Sequence, residues 1–178
     1  KEYIMKKSNR RLLTIESPQH RLTPLMRERV LKPIEGGWIV QTEEPPIIDW
    51  ASAKTVTKKQ VTQSEIDSMQ FAVRVCEQVK SNAIVMVQGL ATVGIGPGQT
   101  SRVEAVRIAA RRAGDRAKDC VLASDAFFPF ADGLEQAAMA GASAIVQPGG
   151  SIRDQEVIDA ADAMGISMLF TGHRLFRH

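Results

Sequence analysis

From Thr62 onward, helix-spaced and strand-like segments alternate with little chain between them, and this alternation limits the possible folds more than any other feature. Residues 62–65 read T-x-x-E, a capping box in which hydroxyl and carboxylate each satisfy a free amide at a helix start. Ile66, Met69, Val73, Cys76 and Val79 follow at helical spacing, which predicts a helix ending near Lys80. Residues 83–88 and 91–95 read as two strands joined tightly at Gly89-Leu90. Residues 101–104 repeat the capping pattern and open a second helix through about Lys118. The remainder predicts strand 120–123, helix 132–140, strand 143–147, helix 154–164 and strand 166–170. Such a chain specifies an α/β layer fold, a sheet with helices packed on its faces and parallel crossovers after the opening hairpin.

Residues 1–61 differ. They are rich in charge and proline, with short strand-like runs only at 12–15 and 38–41 and turns at Gly36-Gly37 and Pro45-Pro46. This stretch is expected to be an extended arm or inter-subdomain connection, leaving 62–178 as the folded unit. The 44% hydrophobic and 24% charged content lets a chain of 178 residues bury a core without disulfides or metals. Cys76 and Cys120 sit in apolar stretches without metal-ligand spacing, so two buried free thiols in a reducing compartment are expected.

Several function classes have no footing. The best apolar run, 83–95, is interrupted by Gln88, Gly89 and Thr92, so no membrane span is expected. The charged start lacks the apolar core of a signal peptide, which points to the cytoplasm. Arg107, Arg111, Arg112 and Arg116, interleaved with Asp115 and Asp119, read as a solvated helix face and not as a nucleic-acid footprint. Neither H-x-E nor C-x-x-C occurs, so a zinc-activated water has no ligand set. No G-x-S-x-G nucleophile elbow is present either.

The unusual segments, 96–102, 124–132, 148–153 and 171–178, each follow a predicted strand. Where strands run parallel, loops at their carboxyl ends converge on one crevice, so these four predict one composite site. Residues 94–102, GIGPGQTSR, form a glycine-rich turn into a capped helix. There backbone amides and Arg102 could meet an anion, or the glycines could simply make a tight turn. In SDAFFPF, 124–130, three phenylalanines in a proline-containing loop suit a flat heteroaromatic ligand or a plug over the sheet edge. Asp125 and Asp132 flank them as candidate acceptors for ring amino groups. PGGSIRD, 148–154, permits close backbone approach, with Asp154 as a possible helix cap. RLFRH, 174–178, follows an apolar strand and is expected to dock.

KSNA at 80–83, the stretch 94–102, SDAFFPF, QPGGSIRD at 147–154 and RLFRH together resemble, in order and separation, the signature segments of the AICAR transformylase family. Segments RRLL, GGWIVQ and VTKKQ match more loosely. That family transfers a formyl group from 10-formyltetrahydrofolate to the 5-amino group of the ribonucleotide AICAR. It does so as a homodimer with two cytidine-deaminase-like subdomains that lack the zinc site. The resemblance implies that this chain is the second, C-terminal subdomain. Asn82 and Arg102 would contact AICAR at the partner subunit's site, and Phe127 and Arg174 would touch the nucleotide more directly. Val103, Asp132, Ser151 and Ile152 would lie at the folate, with Asn82 and His178 in supporting catalytic roles.

The resemblance also sets what is missing. The family's base comes from a Lys-His pair in the first subdomain, and no Lys-His dipeptide occurs here. The family's IMP cyclohydrolase domain has no counterpart in this stretch. We therefore expect a larger polypeptide represented by a piece, or a first-half transformylase polypeptide completing the site. The alternative from a different class is a non-catalytic nucleotide- or folate-binding module of the same fold.

Overall fold

The computed structural model describes residues 28–43 and 48–177, in two compact units, Lys1–Pro45 and Pro46–His178. In the first unit, β1 (Glu28–Ile34) and β2 (Gly37–Glu43) pair antiparallel around a turn in which Gly36 adopts φ 81°. That left-handed backbone favours glycine. The strand expected over 38–41 is present. Its partner was not anticipated, because Arg29, Lys32 and Pro33 dilute any alternation in β1. Leu31, Ile34, Trp38, Ile39 and Val40 are exposed. The strand expected at 12–15 lies outside the described residues.

The second unit is an α/β layer built on a mixed six-stranded sheet of order β3-β8-β7-β6-β4-β5. Its strands are β3 (Lys54–Thr55), β4 (Ile84–Gln88), β5 (Ala91–Gly96), β6 (Cys120–Ser124), β7 (Ala142–Gln147) and β8 (Ser167–Phe170). Among the described residues four α-helices join them, α1 (Gln63–Cys76), α2 (Arg102–Ala113), α3 (Ala131–Ala140) and α4 (Asp154–Ala163), and a 3-10 turn, Gly114–Ala117, follows α2. β4 runs antiparallel to both β5 and β6, whereas β6, β7 and β8 are mutually parallel. The carboxyl ends of β5 through β8 therefore share one edge, as expected from the loops, and β4 begins there.

Alternate strand residues feed two cores. Ile84, Met86, Leu122 and Ile145 pack with α2, α3 and α4, while Val85, Val87, Ala123 and Val146 pack with α1. The capping box at Thr62 forms as read, with Thr62 Oγ1 accepting from the Glu65 amide and Glu65 accepting from the Thr62 amide. At α2 only half of the expected box forms: Ser101 Oγ accepts from the Glu104 amide.

Two expectations change. Residues 48–61 are part of the folded unit, not of an arm. Val56 donates to the Met168 carbonyl at 3.0 Å, Met168 donates to Thr57 Oγ1 at 2.9 Å, and Lys58 donates to Asp162 at 2.7 Å. A two-residue strand such as β3 is too short to leave a periodic signal. Gly94 and Gly96 are not a turn either. They lie within β5, where a Cβ on either would collide with the Ala109 or Ala105 carbonyl of α2. Their small size lets the helix sit directly on the strand. Only Gly98, at φ 65°, belongs to the turn that follows.

Candidate functional site

The shared edge carries a cavity of about 420 Å³. Asn82, Arg102, Val103, Phe127, Asp132 and Arg174 all border it, contributed by the chain entering β4, the start of α2, the loop after β6, the start of α3 and the tail. Six of the residues expected at the site thus meet in one place. The resemblance divided Asn82 and Arg102 from Phe127 and Arg174 by subunit; within this chain all four border the one cavity. Residues not assigned a role beforehand also border it, among them Thr100, Ser101 and Phe176. Thr100 signals only as part of the 94–102 stretch, Ser101 only as a helix cap, and Phe176 only as part of the tail motif.

Arg102 is 8% exposed and its guanidinium is held on three sides. Nη1 donates to Ser124 Oγ at 2.8 Å and to Asp125 Oδ1, and Nη2 donates to Asn82 Oδ1 at 2.9 Å. Asn82 Nδ2 in turn donates to the Gln99 carbonyl at 2.9 Å. Asp125 is fully buried, so it is no free acceptor for a ring amino group as the sequence suggested; it is the counter-ion of Arg102. Its second oxygen, Oδ2, has no hydrogen-bond partner among the described residues. Nearby Cys76 is also buried, and its thiol is pushed far above the ordinary range by burial and by the Asp125 carboxylate. It is not a nucleophile in this state.

The three phenylalanines divide by role. Phe128 is fully buried among the core residues and its amide donates to Gln147 Oε1 at 2.8 Å, so it is the plug. Phe127 borders the cavity with the Arg174 guanidinium over its ring at 5.1 Å. Phe130 is exposed at the rim, with Arg153 stacked at 4.7 Å. Cations over ring faces are held by the ring quadrupole, which orients them without neutralising their charge. The tail is docked as expected. Leu175 donates to the Asp125 carbonyl at 2.8 Å, and Ser81 and Arg177 exchange bonds near 3.0 Å.

Ser151 and Ile152, expected at a folate, are not part of the cavity lining, and Ile152 is fully exposed. Asp154 does not cap α4. It is the first helical residue, and its carboxylate accepts from the Gly150 and Ser151 amides at 2.7 and 3.1 Å, tying the loop. His178 lies outside the described residues. Among the described residues no His, Cys, Asp or Glu cluster could hold a metal, and no helix is long and apolar enough to cross a membrane.

Comparison with known proteins agrees with the motifs. Residues 1–112 match the family described as the AICARFT/IMPCHase bienzyme. The bifunctional purine biosynthesis protein PurH of Brucella anthropi is 51% identical over 183 residues, spanning 97% of this chain and 33% of that protein. The Brucella ovis protein of the same name is 50% identical with the same coverage. The chain thus spans about one third of the length of these curated relatives. Two structures of Acinetobacter baumannii RibD, forms 2 and 1, align at a TM-score of 0.44 with 14% and 16% identity. They cover 61% and 60% of this chain and 35% and 34% of theirs. With more than half of its residues matched by the family and half of them identical to these relatives, the chain belongs to the AICARFT/IMPCHase bienzyme family.

Proposed function

We propose that this chain supplies the C-terminal part of a formyltransferase site, where 10-formyltetrahydrofolate donates its formyl group to the 5-amino group of AICAR in purine (IMP) biosynthesis. On this reading the second unit is the second cytidine-deaminase-like subdomain, without that fold's zinc site. The protein works in the cytoplasm as a homodimer. The observation that carries the reading is the cavity wall, where Asn82, Arg102, Phe127 and Arg174 converge from four separate segments.

The chemistry asked of that wall is binding and alignment. The amine of AICAR is conjugated to its ring and to a carboxamide, so it attacks only when oriented and deprotonated. Phe127 offers an apolar face to the ring, and Arg174, exposed beside it, offers charge to the nucleotide. Arg102 is already neutralised by Asp125, so Arg174 is the stronger electrostatic contact. Negative charge develops on the formyl oxygen as the amine adds, and a fixed N–H donor there lowers the barrier. Asn82 is such a donor. Val103 and Asp132 border the same cavity, and we assign the folate to their side; the Phe130–Arg153 pair joins that rim to the loop holding Ser151 and Ile152. The proton is taken by a base from the first-half polypeptide, since the Lys-His pair that the resemblance assigns to that role is not in this chain.

The test is reconstitution. The chain is mixed with a first-half transformylase polypeptide, and formyl transfer is followed by tetrahydrofolate release. The mixture should turn over and the isolated chain should not. A mixture that binds AICAR but transfers nothing supports the non-catalytic binding module instead.

A further inference from the structure

We propose that Asp125 and Ser124 are positioning residues that act through Arg102 to fix the side-chain amide of Asn82 as a single aimed donor. The inference rests on the reading of the cavity as the formyl-transfer site. Its structural half stands on hydrogen-bond chemistry alone.

A guanidinium can only donate and a backbone carbonyl can only accept. The atom of Asn82 facing Arg102 must therefore be Oδ1, and the atom facing the Gln99 carbonyl must be Nδ2. The amide flip, ordinarily ambiguous, is set by its neighbours. Nδ2 carries two hydrogens and spends one on Gln99, which leaves one for a ligand in the cavity that Asn82 borders. The Asn82 backbone is tied separately, donating to and accepting from Gln99 at 3.0 and 3.2 Å, so only the side chain depends on Arg102.

Arg102 needs holding. An arginine beside an anionic nucleotide would otherwise turn toward the ligand, abandoning Asn82. Asp125 Oδ1 and Ser124 Oγ occupy both hydrogens of Nη1, and Ser124 is itself oriented by donating to the Ala126 carbonyl at 2.6 Å. A buried ion pair is no efficient source of stability, because desolvation offsets its attraction. Asp125 converts a mobile cation into a neutralised, fixed donor, and Arg174 remains as the cation facing the nucleotide. The ligand chemistry recognised by the free Nδ2–H is an oxygen acceptor, a carbonyl becoming an oxyanion.

The experiment has two arms. In the isolated chain, the ¹⁵N side-chain amide of Asn82, assigned by its disappearance in Asn82→Ala, should give proton signals displaced from the positions of a free amide by the bond to the Gln99 carbonyl. They should move toward the free-amide positions in Asp125→Ala and in Ser124→Ala, and stay displaced in part in Asp125→Asn, which keeps an acceptor. If Asp125→Ala does not fold, the two milder variants decide. Unchanged Asn82 signals in folded variants overturn the proposal. In the reconstituted enzyme, Asp125→Asn should lower kcat on the order of ten- to a hundredfold, with KM for AICAR changed little. The loss should nearly vanish in an Asn82→Ala background, because the two residues act on one donor. Additive losses, or a rise in KM alone, overturn it. If the unmutated mixture transfers no formyl group, the functional reading fails while the amide spectrum still decides the positioning claim.

Discussion

The two edges of the six-stranded sheet are built to different rules. At one, β4 turns to β5 through Gly89-Leu90, α3 enters β7 through Gly141 and α4 enters β8 through Gly165, each glycine at positive φ. These connections are short. They close helices and return the chain. At the other edge the connections after β6, β7 and β8 are longer, and of the eight buried polar or charged side chains among the described residues, five collect there: Arg102, Ser124, Asp125, Gln147 and Thr171. Buried polar groups add little net stability beyond their own desolvation, so their concentration on one edge marks where geometry is being specified for something other than folding.

The largest effect expected is one that blurs this contrast. Phe128 sits in the polar edge's loop yet belongs to the core, so Phe128→Ala should cost about 3–5 kcal/mol in urea unfolding, as buried phenylalanines do. Its neighbour should behave in the opposite way. Phe127→Ala and Arg174→Ala should each weaken AICAR binding to the reconstituted protein, by roughly 1–3 kcal/mol for the ring face, while leaving the unfolding midpoint nearly unchanged. Equal stability losses at 127 and 128 would erase the distinction. Gly141→Ala, on the turn edge, places a side chain at φ 105° with its Cβ 3.0 Å from the Ala117 carbonyl. It should lower stability by about 1 kcal/mol or more and leave nucleotide affinity intact.

The smallest effect separates the edges by a thiol on each. Cys120 begins β6 on the turn edge, and burial pushes its thiol from about 9.0 up to about 11. Cys76 is raised further, with the Asp125 carboxylate adding to burial. Both groups are held neutral in the fold. Their contribution to stability is therefore whole below pH 9 and falls as pH rises toward 11, because the unfolded chain then gives up protons that the folded chain keeps. Alkylation should require unfolding below pH 9. Asp125→Asn should bring the ionisation of Cys76 down without moving Cys120.

How far the sequence disclosed all this depends on the range of the interaction. The capping box at Thr62, the hydroxyl cap at Ser101, the helix spacings and the hairpin at Gly89-Leu90 are local, and they were legible. So was the placement of four loops on one edge, since it follows from strand direction alone, but only three of them line the cavity and 148–153 does not. β1 was masked by charge and proline, and β3 by its length. Gly94 and Gly96 looked like a turn because sequence shows glycine but not the helix that will lie against it. Asp125 was misread for a similar reason. Its adjacency to Phe127 suggested a ligand contact, but its partner lies 23 residues earlier, on a helix whose docking no local pattern announces.

The most direct measurement is an AICAR titration of the ¹⁵N-labelled chain in the presence of an unlabelled first-half polypeptide, followed by backbone amide shifts. Saturable shifts should appear together at Asn82, 100–103, 126–133 and 174–176. Gly89, Gly141 and Gly165 on the far edge should stay still. Saturable shifts confined to the far edge, or to the hairpin of β1 and β2, would contradict the placement of the nucleotide site on this cavity wall.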